Sequence, residues 1–150
     1  MSTADRILLI LHVGFAVFTL GPLTAATMST PRYIRAGKIE VLRYLRLVTR
    51  LYGLGSLGVF LFGLFLAEGR FDQIWLSVSM TLFIVALALL LVVERDQRKA
   101  ISKLSGGHGK ETGRAGPEAS DTKAEQGRIA ALSGIVALLW LVILVLMFWN

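Results

Sequence analysis

Hydrophobic and polar positions separate along this chain into long blocks. Apolar residues fill 7–28, 47–67, 74–93 and 129–149, and charged or glycine-rich stretches lie between them. At about 1.5 Å per residue, each block is long enough to cross a hydrocarbon layer about 30 Å thick. No water reaches the backbone inside such a layer, so each block must satisfy its own amides as a helix. The pattern predicts an all-α protein, a bundle of four transmembrane helices forming a single integral membrane domain over 1–150. The only charge inside a block is Arg50, near the edge of the second.

Charge then orients the bundle. Of the 16 Lys and Arg residues, only Arg6 and Arg70 fall on the side of the termini and the second connection. Of the other fourteen, Arg50 lies at the border of the second block and the rest lie between blocks one and two or between blocks three and four. Basic residues resist export and collect on the cytoplasmic side, so both termini are expected outside a bacterial inner membrane. Trp75 and Trp149 at the outer border, and Tyr33 and Tyr44 at the inner one, agree with this orientation.

The connections differ in kind. Residues 29–46 start around Pro31 and mix apolar and basic positions, as an interfacial segment does, with the second helix expected to begin near Ile39. The turn Glu68 to Asp72 is too short for anything but an antiparallel pair. Glu94 to Lys103 is expected to continue the third helix as a charged extension, and residues 104–128, rich in Gly and charge, to form a flexible cytoplasmic tether, because they bury too little to offset ordering. The first block carries Gly21-Pro22 and then Thr24-Ala25-Ala26, a loose imitation of a cleavage site. Asp5 beside Arg6 gives no net-positive stretch before it, so the span is expected to be retained.

Small residues supply the packing signals. Gly53, Ser56 and Gly63 fall on one stripe of the second span with Thr49 and Ala67, and Ala130 with Gly134 and Ser133 with Ala137 form overlapping small-x-x-x-small pairs in the fourth. Such residues let membrane helices approach closely. Ser77, Thr81 and Ala88 mark a face of the third span in the same way. Gly53-Leu54-Gly55-Ser56-Leu57-Gly58 spells a dinucleotide fingerprint, but that motif works at a strand-to-helix turn and here lies inside a span.

His12 is the one intramembrane residue with chemical scope, on a stripe with Ala16, Thr19, Leu23 and Thr27. Imidazole at depth serves as a haem or metal ligand, as a proton carrier, or as a neutral group bonded to a neighbouring helix. A single membrane histidine cannot build a bis-histidine haem or a multi-histidine metal site within one chain. The chain has no cysteine, so no thiolate metal site is available. No carboxylate lies inside a span, which argues against an ion-coupled pump. No catalytic constellation can be assembled. The basic excess lacks the aromatic-interleaved aqueous face of a nucleic-acid binder, and anionic lipid headgroups are its expected partner.

Leu11-His12 early in the first span, then Gly21-Pro22, the basic stretch Pro31 to Arg50, and Trp75-Leu76 opening the third span together form a recognisable layout. It resembles the small bacterial four-span proteins of the CopD/HemJ-like group. In the HemJ-type oxidases of that group the first-helix histidine ligates haem and a lysine early in the third helix is also required. Ser77 and Ser79 stand in the region of that lysine here, so the resemblance implies a fold and not the oxidase activity.

Two readings of function follow. The first is a non-catalytic accessory or scaffold protein with a membrane-protein partner or a second copy of itself, using no cofactor. The second is a haem-b-binding redox or haem-handling protein using His12.

Overall fold

A computed structural model describes residues 2–67, 69, 72–107 and 123–149 of the chain. They form four helices: α1 (Thr3–Arg35), α2 (Ile39–Leu66), α3 (Ile74–Gly107) and α4 (Lys123–Trp149). All four are long and apolar enough to cross a membrane, and the protein is a multi-pass helical membrane protein. All four outrun their apolar blocks at the basic end.

Local chemistry sets the helix ends. Ser2 and Asp5 form a reciprocal capping box at the start of α1. The helix continues through Pro22 and Pro31 to Arg35, so Pro31 does not open an interfacial segment. A proline removes its own amide bond, and here the hydroxyls of Thr27, Ser29 and Thr30 add bonds to carbonyls of the preceding turn. The connection to α2 is only Ala36-Gly37-Lys38. Gly37 takes φ +65°, and the amides of Ala36, Gly37 and Lys38 close back on Arg32, Ile34 and Tyr33. The second helix does begin at Ile39.

The four helices follow one another around a square. α1 packs against α2 and α4, α3 packs against α2 and α4, and the diagonal α1–α3 pair scarcely touches. Inward residues recur every three or four positions along each helix: His12, Thr19, Leu23, Thr30 and Ile34 on α1, and Leu42, Leu45, Thr49, Ser56 and Val59 on α2. On α3 the series is unbroken, through Leu76, Ser79, Phe83, Ala86, Leu90, Val93, Gln97 and Ala100. On α4 it is Ile129, Ser133, Val136, Trp140 and Ile143. This spacing averages 3.5, the repeat that keeps a seam facing its neighbours in a helical bundle.

The core has two parts. Leu23, Val59, Phe83, Ala86, Leu90, Val136, Trp140 and Ile143 fill the apolar middle, with Phe83 stacked on Phe60 and edge-on to Trp140. Ile34, Leu42, Val93, Ala100 and Ile129 form a second cluster at the basic end. Outward positions such as Ile10, Phe18, Leu91 and Phe148 are large, apolar and exposed, as a surface solvated by lipid must be.

Of the expected tether, residues 104–107 and 123–128 are helical, and 108–122 lie outside the described residues. Glu68, Arg70 and Phe71 of the expected short turn also lie outside them.

Candidate functional site

His12 lies where α1 meets α2. Its Nδ1 is 2.9 Å from the carbonyl oxygen of Val59. A carbonyl only accepts, so Nδ1 carries the proton and donates, and the lone pair of the neutral ring is on Nε2. Its partner on the neighbouring helix is a backbone carbonyl. Gly63 makes the fit: a Cβ there would stand 3.0 Å from Cε1 and 3.3 Å from Nδ1 of the ring. Gly55 and Gly58 repeat this approach below it, against Thr19 and Phe15. Phe15 in turn packs on Phe62.

The small residues divide between inside and outside. Ser56 is fully buried and Gly63 meets the imidazole, whereas a Cβ on Gly53 would meet nothing within 4 Å. The seam passes through Thr49, Tyr52, Ser56, Val59 and Gly63, one position off Gly53. Ala130 and Gly134 are likewise exposed, because Ser133 takes the inward place on α4. Ser77, Thr81 and Ala88 also face outward, and Ser79 is the buried serine of α3.

A second constellation, absent from the sequence reading, closes the basic end. Gln97 is buried and its amide nitrogen donates to Thr30 Oγ1 at 2.8 Å and to Thr49 Oγ1 at 3.1 Å, joining α3 to α1 and α2. Asp96 has no exposed surface, and Arg128 of α4 holds it through two parallel hydrogen bonds, the Nε one at 3.0 Å. Arg46 joins α2 to Glu94 at 2.8 Å, and Lys103 joins α3 to Glu125 at 2.8 Å. The hydrogen bond from Lys103 holds the Glu125 carboxyl below the usual carboxylate range, against the upward push of burial. The Asp96 hydrogen bonds raise the Arg128 guanidinium further above its ordinary value. One sequence signal could have exposed this layer. Carrying the buried series Phe83, Ala86, Leu90, Val93 one turn beyond the apolar block places Gln97 and Ala100 inward, with Asp96 beside them.

Chemically, the first site offers one imidazole nitrogen lone pair and no second ligand. Among the described residues no group of three His, Cys, Asp or Glu side chains could hold a metal ion. The second site is a set of compensated charges whose arrangement locks helices together. No family model, curated protein or solved structure matches the chain.

Proposed function

We propose that the protein is a non-catalytic accessory or scaffold subunit of a bacterial cytoplasmic membrane, with its basic end in the cytoplasm and both termini outside. The observation that carries this reading is the outward position of Ala130 and Gly134 on α4. A small-x-x-x-small pair not used by its own bundle leaves a shallow face on which a partner helix can pack closely. The layer of ion pairs and amide bonds at the basic end supports the same reading, because it stiffens the frame that presents that face.

Two measurements test it. Gly134→Leu should abolish association of fluorescently labelled copies in vesicles, or copurification of a membrane partner, while the equally outward Leu91→Ala leaves it intact. A wild-type protein that is monomeric and copurifies with no membrane protein overturns the reading. Since the chain has no cysteine, single Cys variants give unique labels. An impermeant maleimide should reach Thr3→Cys in intact cells and Lys38→Cys only after lysis; the reverse overturns the orientation.

One observation favours a second reading, haem handling through His12. Histidines that ligate metals almost always donate the other ring N–H to a carbonyl or carboxylate, which fixes the tautomer, and His12 does so with Val59. The second axial position would come from elsewhere. Protein from haem-sufficient cells should then show a Soret band that is lost in His12→Ala. A colourless protein that gains no Soret absorbance on titration with haem removes this reading.

A further inference from the structure

A groove opens at the basic end, between the end of α1 and the start of α4. Its volume is about 700 Å³, and Pro31, Ile34, Arg35, Leu104, Lys123 and Ala130 are among its walls. Its lining carries two cations, Arg35 and Lys123, and no acidic residue. Arg43, Arg46, Lys103 and Arg128 each meet a carboxylate. Arg35 instead meets a neutral group: with the Gln126 amide turned so that its oxygen faces the guanidinium, it accepts from Nη2 and Nε, both at 3.0 Å. Lys123 has no carboxylate partner among the described residues, and Glu125, on the same turn, is held by Lys103. Among the described residues, two cations that meet no carboxylate therefore share one cleft. The neighbouring groove, lined by Lys38, Glu40 and Arg43, carries its own carboxylate.

Depth identifies the occupant. The apolar block of α4 starts at Ile129, and Gln126 lies three residues, about 4.5 Å, beyond it. Headgroups occupy a layer of roughly 5–8 Å outside the hydrocarbon. The backbone of Lys123 and Arg35 lies about 9 and 10.5 Å beyond the blocks, and their long side chains reach back to that layer, while Pro31 and Ala130 wall the groove on the hydrocarbon side, where the first carbons of an acyl chain would lie. We propose that this groove binds one anionic phospholipid, its phosphate between Arg35 and Lys123, and its chain descending past Ala130. Basic pockets between membrane helices take anionic headgroups in this manner.

The test compares two charge-matched double variants by lipid retention in native mass spectrometry and by thermal stability in nanodiscs. Wild type should retain phosphatidylglycerol in preference to phosphatidylcholine and melt higher in its presence. Arg35→Gln with Lys123→Gln should bind it about tenfold more weakly, whereas Lys38→Gln with Arg43→Gln should retain it. Equal loss in both pairs would mean diffuse surface attraction and would overturn the site. So would equal retention of phosphatidylcholine, or the same stabilisation from glycerol phosphate in lipid-free micelles. Arg35→Lys, which keeps the charge and the fold, should retain most of the preference. Because this proposal concerns lipid, its failure leaves the helix-docking reading untouched, and failure of the Gly134 experiment leaves this one standing.

Discussion

At the scale of the residue, the contact between His12 and Gly63 shows how a polar group is accommodated at depth. The imidazole hydrogen-bonds the Val59 carbonyl and approaches α2 so closely that a Cβ at Gly63 would stand 3.0 Å from Cε1. A methyl there displaces the ring by a few tenths of an ångström, and displacement away from α2 lengthens the bond to Val59. Overpacking of this kind costs about 1–3 kcal/mol. The helical preference of Ala over Gly returns up to about 1 kcal/mol. Gly63→Ala should therefore lower the melting temperature in detergent. Gly53→Ala, with open space around its Cβ, should hold or raise it. A matching rise in both variants would show that the ring yields freely and that the contact does not constrain the bundle. His12 itself was legible in the sequence as the one polar outlier of its span. Its partner was not, because a backbone carbonyl leaves no trace in residue type.

At the scale of the element, the apolar blocks located all four helices and the flanking pattern placed the start of α2 and the extension of α3 to Lys103, but hydrophobicity alone did not mark the helix ends, and the reason is physical. Hydrophobicity marks where a helix touches lipid, whereas a helix ends where its backbone bonds run out. Thus α1 ends only at Gly37, whose positive φ closes the turn, and α3 continues past Val93 because Gln97 and Ala100 keep the inward phase. The small-residue stripe of α2 lies on the seam at Thr49, Ser56, Gly63 and Ala67 and departs from it at Gly53, where the 3.5-residue repeat takes Tyr52, about 100° away. On α4 the repeat takes Ser133 inward and leaves Ala130 and Gly134 outward. The difference changes the function argued for Ala130 and Gly134. Inside the bundle they would stabilise it; outside, they are free to meet another helix.

At the scale of the whole molecule, the protein is held differently at its two ends. The end with the termini relies on van der Waals packing and the His12 bond, whereas the basic end is tied by ion pairs that cross every side of the square except α1–α2 and α1–α4. Glu125 and Lys103 form one of these ties, and its pH dependence follows from the lowered carboxyl. A carboxylate that is more acidic folded than unfolded stabilises the native state above its unfolded pKa, about 4.3, and the gain disappears as pH falls through the lower folded value. Lys103 is partly exposed, so solvent screening limits the gain to at most about 1 kcal/mol. Glu125→Gln should therefore melt below wild type at pH 7, with the gap narrowing once the pH drops below about 4. Added salt should narrow it at pH 7 as well. A gap that stays constant from pH 7 to pH 3 would show that shape and burial at this position, not charge, join α3 to α4.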